Sequence, residues 1–203
     1  MRLPFAVKTK LQTDLAEGTS PNTRFAFKLY REILRDAGAV NVFFSPASVM
    51  LCLYLLREGA TGETQAAIDR ALEVAGLDAD RLQSTVAALK SVLHAKRPGL
   101  ELEIANPVWC NQACTPRSEY VTKVKKNHDA EVIVLDFGNP EAVDQINDWC
   151  SEKTRGRITR ILESLDARAI LLVSMLSILR TCGVNNSNQG GRAKNYFIRA
   201  MVA

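Results

Sequence analysis

The sequence predicts an α+β fold, with a helical N-terminal region followed by strands too few and too scattered to alternate regularly with helices. Three observations carry this. Phe25, Leu29, Ile33 and Leu34, and later Leu82, Val86, Leu89 and Leu93, recur at three- and four-residue steps. Leu100-Glu101-Leu102-Glu103-Ile104-Ala105 alternates apolar and charged residues with the period of a strand. Ala169 to Val173 is apolar throughout, as a strand buried on both faces must be.

The elements follow in order. Asn22 to Ala37 is a helix, with Phe25, Leu29, Ile33 and Leu34 on one face, Asn22 or Thr23 as cap and Gly38 as stop. Asn41 to Phe44 reads as a short buried strand. Ser45-Pro46 then opens a helix over Ala47 to Leu56, serine as cap and proline in the first turn. That helix is apolar nearly all round and is expected to be buried. Thr61 or Gly62 caps a short helix Glu63 to Ala71, and Asp80 to Lys96 is amphipathic, ended by Pro98-Gly99. The strand beginning at Leu100 continues toward Trp109, where Pro107 marks an edge or a bulge.

Pro116 to Asp129 is expected to be helical and Val132 to Phe137 to be a second strand. A helix starting at Gly138 or Asn139, with Pro140 in its first turn, carries Val143, Ile146, Trp149 and Cys150 on its apolar face. Ile158 to Leu165 has the spacing of a shorter helix, and the strand at Ala169 ends at Val173. The polar stretch from Asn185 to Gly191 favours no element, and the apolar run Tyr196 to Ala203 has no clear period.

Composition narrows the function classes. Of 203 residues, 47% are hydrophobic and 24% charged, which describes a chain that builds a core. The net charge is +4, but Arg180, Arg192, Lys194 and Arg199 stand in residues 174–203 without an acid, so residues 1–173 are formally neutral. A neutral body argues against nucleic-acid binding. The longest apolar run, Ala169 to Leu179, is shorter than the roughly 20 residues a membrane span needs. Met1 to Val7 is too short for a secretory core, so the expectation is no signal peptide and, as written, a cytoplasmic chain.

Candidate chemistry is sparse. Cys52, Cys110, Cys114, Cys150 and Cys182 are odd in number and irregular in spacing, which favours reduced thiols over a disulfide framework. Cys110 and Cys114 stand four apart without the second pair a zinc site requires, and His94 and His128 lie elsewhere. Neither histidine has a motif that makes a cysteine a nucleophile. Ser45 and Ser48 lack a nucleophile elbow and read as cap and packing hydroxyls. Lys123, Lys125 and Lys126, and likewise Arg155, Arg157 and Arg160, read as solvated faces. No phosphate loop is present, and no catalytic residue, cofactor or metal is expected.

Taken together in order, several blocks resemble the serpin family. Phe25-Ala26-Phe27-Lys28-Leu29-Tyr30, Asn41 to Val49 and Gly59-Ala60-Thr61-Gly62-Glu63-Thr64 resemble a serpin's opening. Leu102 to Asn106 and Ala130 to Phe137 resemble strands of its large sheet. Ile146-Asn147-Asp148-Trp149 with Thr154-Arg155-Gly156-Arg157-Ile158 resembles the helix across that sheet and the turn after it. The resemblance spans residues 22–173, leaving 1–21 as an N-terminal extension and 174–203 as an unrelated tail, frame-shifted or alternatively spliced.

It implies an inhibitor of serine or cysteine proteases that presents a bait loop, is cleaved there and inserts the loop into its large sheet. That loop belongs to the half of the family domain beyond these residues, so the chain itself is expected not to inhibit. Ser45 and Ser48 match the cluster under the opening point of the sheet. The family's asparagine from the third strand would stand at 174, where this chain has serine, so the cluster is expected to be incomplete. Thr61, Gly62, Asn147, Thr154 and Gly156 match positions with structural roles. The large sheet is expected to be incomplete, with open edges along 100–111 and 169–173 that favour self-association or pairing with another chain.

Overall fold

The computed structural model describes residues 20–37, 42, 44–95, 100–182 and 193–202. Four helices come first: α1 (Pro21–Ala37), α2 (Pro46–Gly59), α3 (Gly62–Ala71) and α4 (Ala79–Leu93). Strands β1 (Leu100–Ala105) and β2 (Pro107–Asn111) and a 3₁₀ turn at Gln112–Cys114 follow. Then come α5 (Ser118–His128), β3 (Glu131–Leu135), α6 (Ala142–Lys153), β4 (Leu171–Cys182) and β5 (Ala193–Val202).

The strands form one sheet. β1 and β2 lie along the same side of β4 in a single antiparallel register, Ala105 opposite Leu176 and Val108 opposite Val173. They are one strand interrupted at Asn106, just before Pro107, which has no N–H to give the ladder. Its β2 half is interior, because β3 pairs with β2 in parallel while β4 pairs on the other side; among the described residues its β1 half pairs with β4 alone and keeps an open edge. β5 pairs antiparallel with the far side of β4, from Val173 opposite Val202 to Cys182 opposite Ala193. The spatial order is therefore β3, β1/β2, β4, β5.

Side-chain alternation splits the sheet into two faces. Val108, Cys110, Val173 and Met175 pack with Leu51, Cys52 and Leu55 of α2. Trp109, Leu172 and Leu176 pack with Ile146 and Cys150 of α6 on the opposite face. Behind α2, Met50 and Tyr54 meet Phe25 of α1 and Val86 of α4 in a third cluster. Helix α2 is thus wedged between the sheet and the outer helices, which is why it is apolar nearly all round.

Four expectations are corrected. Helix α1 begins at Pro21, so Ser20, not Asn22 or Thr23, caps it: its Oγ accepts from the Thr23 N–H at 3.3 Å. Residues 158–165 form turns and bends rather than a helix, for a reason given below. The strand expected to end at Val173 runs on to Cys182, because β1 and β5 supply ladder partners on both sides. The edge of β4 expected to be open is consequently taken by β5. Residues 1–19 of the expected extension and the polar stretch at 185–191 lie outside the described residues, as do Asn41 and Phe43 of the expected strand; Val42 and Phe44 are in no strand.

Candidate functional site

Ser45 and Ser48 sit at the N-terminus of α2, beneath the sheet. Ser45 is extended at the cap position, and its Oγ accepts the Ser48 N–H at 3.3 Å. This satisfies one orphan donor of the first turn, the usual task of a serine cap. Ser48 is 1% exposed and its hydroxyl has no hydrogen-bond partner among the described residues. Ser174 is also fully buried with an unpartnered hydroxyl. It falls between Val173 and Met175, which face α2, so alternation turns it toward α6. The structure brings Ser45 and Ser48 together and leaves Ser174 apart from them.

The opposite face carries a clasp that the residue pattern alone does not disclose. Asn147 of α6 is 5% exposed. Its Oδ1 accepts the N–H of Ile161 at 2.8 Å and of Leu162 at 3.1 Å, and its Nδ2 donates to the Leu162 carbonyl at 2.9 Å. At the C-cap of the helix, the buried Thr154 Oγ1 donates to the Cys150 carbonyl at 2.7 Å and accepts the Ile158 N–H at 2.9 Å. A helix over 158–165 would pair the Leu162 N–H with the Ile158 carbonyl; here Asn147 takes the first, and Thr154 Oγ1 lies 3.3 Å from the second. Ile158, Ile161, Leu162 and Leu165 still turn inward against Trp109 and Leu172, so their helix-like spacing reports burial, not helix. Gly156, at φ +74°, makes the left-handed turn between the two anchors. The rim adds an edge-to-face Trp109–Trp149 pair at 5.3 Å, with Lys153 above Trp149 and 3.0 Å from Glu131.

The cysteines and histidines are dispersed. Cys52, Cys110 and Cys150 are buried and Cys114 is exposed. Burial pushes the Cys52 thiol up to about 12 and the Cys110 thiol up to about 11, the reverse of what a nucleophile needs. Among the described residues no group of three or more His, Cys, Asp or Glu side chains is placed to hold a metal. His128 is 3% exposed, with Nε2 3.2 Å from Glu58 Oε1, and that hydrogen bond holds the Glu58 carboxyl below its usual range. Among the described residues no helix is long and apolar enough to cross a membrane. Lys123, Lys125 and Lys126 lie on α5, with Lys125 and Lys126 in its last turn, where cations suit the helix dipole.

What this arrangement does is structural: it holds a helix on each face of the sheet. Comparison with known proteins agrees with it. The family model described as Serpin (serine protease inhibitor) matches residues 20–178. Thyroxine-binding globulin of Rattus norvegicus is 31% identical over 160 residues, 76% of this chain and 38% of the relative. Plasma serine protease inhibitor of Mus musculus is 30% identical over 172 residues, 82% of this chain and 42% of the relative. The structure of reactive-loop-cleaved human thyroxine-binding globulin superposes with a TM-score of 0.66 and 27% identity, over 81% of this chain and 50% of that one. The chain spans about two fifths of the length of these curated relatives.

Proposed function

The chain belongs to the serpin family, and from that premise we propose that its 203 residues are the strand-accepting part of a protease-inhibitor scaffold. The observation that carries the reading is the pairing of β5: ten residues, Ala193 to Val202, are taken up antiparallel along β4. A sheet covered on both faces by α2 and α6, yet able to add a strand beside β4, is what insertion of a cleaved loop requires. The resemblance of the plasma serine protease inhibitor supports inhibition by the whole protein. In this reading Ser45 and Ser48 hold the helix under the place where the sheet accepts a strand. Residues 179–203, beyond the matched span, carry basic charge without acid, which supports their origin as a segment separate from the rest.

The bait loop implied by the family lies beyond the matched span, so the 203 residues by themselves form no covalent protease complex. The test is incubation with a panel of serine proteases followed by denaturing electrophoresis. The expected result is cleavage products alone. A complex that survives denaturation and carries the mass of both proteins would overturn the reading for this chain.

A second reading, an interaction module, has its own observation. Among the described residues β3 pairs only with β2, and β5 only with β4, so each keeps one edge free for another chain. Sedimentation equilibrium tests it for a second copy of this chain: dimers that grow with concentration support it, and a monomer across the range excludes pairing between copies.

A further inference from the structure

We propose that the cavity between α2, α4 and the C-terminal end of α5 binds one small amphipathic monoanion, a medium-chain carboxylate. The cavity has a volume of about 770 Å³, within the range of small-molecule sites. Helix α4 gives it a stripe of side chains at three- and four-residue steps, so the cavity follows that helix for about 18 Å from Leu82 to His94.

The stripe is polarised. Leu82 and Val86, joined by Leu77, make one end apolar. Lys90 and His94, joined by Lys126 from α5, make the other end polar and open to solvent. An occupant with an apolar body and a negative head matches both ends.

The charge count selects a single negative charge. Arg57 is held by Asp69, and Lys90 by Asp129 and, at 2.9 Å, by the Asn127 carbonyl. Glu58, the one acid lining the cavity, is engaged by His128. Lys126 lines the mouth and makes no ion pair among the described residues. Two buried polar groups on the wall are also uncommitted. The Tyr54 hydroxyl and His128 Nδ1 have no hydrogen-bond partner among the described residues, although both residues are at least 97% buried. Buried polar atoms are seldom left so: the Tyr54 hydroxyl offers a donor to the carboxylate or its accompanying water, and His128 Nδ1, with Nε2 turned to Glu58, offers that water an acceptor.

The probe is decanoate, titrated calorimetrically into the full chain at pH 7, with decanol as the uncharged analogue. The expected result is saturable binding at one site per chain, with decanol at least tenfold weaker. Lys126→Gln should weaken decanoate about tenfold, the loss of one charge-assisted hydrogen bond, and leave decanol unchanged. Lys125→Gln, outside the lining, should leave both unchanged. Lys126 is exposed, so its substitution does not endanger the fold. No saturable binding, several equivalent sites, equal affinity for decanol, or indifference to Lys126→Gln would each overturn the proposal.

Discussion

Replacing Asn147 by alanine should be among the costliest single changes in this chain. The side chain satisfies three main-chain groups: the N–H of Ile161, and both the N–H and the carbonyl of Leu162. Ile161 is 4% exposed and Leu162 is 9% exposed, so water cannot readily replace the amide. Each buried group left unpaired costs about 1–3 kcal/mol. Allowing for partial relaxation, Asn147→Ala should cost about 3–6 kcal/mol, a large share of the roughly 5–15 kcal/mol a domain possesses. Asn147→Asp keeps an acceptor for both N–H groups and loses only the donor to Leu162, so it should cost about 1–3 kcal/mol. Urea unfolding followed by far-ultraviolet circular dichroism measures the difference. With a slope near 2 kcal/mol per molar, the alanine variant should shift the midpoint by about 2 M. Amide exchange at Ile161 and Leu162 should accelerate in the alanine variant even if unfolding is not two-state. An alanine variant within about 0.5 M of the parent, with those two amides still protected, would refute the claim that Asn147 is the anchor.

Two further outcomes follow from the same structure. Iodoacetamide at pH 8 should label Cys114 well before Cys52, Cys110 and Cys150, which are buried, with the Cys52 and Cys110 thiols raised to about 12 and about 11 by desolvation; peptide mapping that finds Cys110 labelled as fast as Cys114 would contradict the packing of β2. The Glu58 carboxyl is held below its ordinary 4.5 chiefly by the hydrogen bond from His128, and a depressed acid contributes stability above its unfolded value that is lost as pH falls through its folded one. The urea midpoint should therefore fall on acidification below about pH 4.5, and Glu58→Gln should flatten that fall; equal slopes in the two proteins would remove Glu58 from the account.

The sequence was most legible where local pattern and burial agree. Alternation at Leu100–Ala105, the Ser45-Pro46 start of α2 and the wholly apolar face of that helix each have a short-range cause. It misled where a distant side chain decides the backbone. Ile158, Ile161, Leu162 and Leu165 have helical spacing and inward side chains, yet Asn147 and Thr154 engage the Leu162 N–H and the Ile158 carbonyl that a helix would pair with each other. Periodicity reads side-chain burial and cannot see who satisfies an N–H. The resemblance marked Asn147 and Thr154 as structural, but their partners became visible only in three dimensions. The cavity was equally hidden, since Tyr54, Val86 and Lys126 come from three helices with unremarkable spacings.

β5 shows the same limit in its most general form. The apolar run Tyr196 to Ala203 shows no clear period, yet residues 193–202 form ten residues of ladder with β4. An edge strand recognises extended main chain rather than particular side chains. A segment with no family pattern can therefore occupy it. The same indifference applies to a second copy of the chain or to an inserted loop of the kind the proposed function requires. Which of them holds the edge is then a matter of effective concentration, and a strand tethered by the ten residues between Cys182 and Ala193 competes at millimolar levels, to order of magnitude. A rival strand must either exceed that concentration or pair over more than ten residues. Specificity at this edge is thus set by tether and length, while side chains act on the faces below and above it, where Ser45 caps the helix under the sheet and Asn147 holds the segment over it.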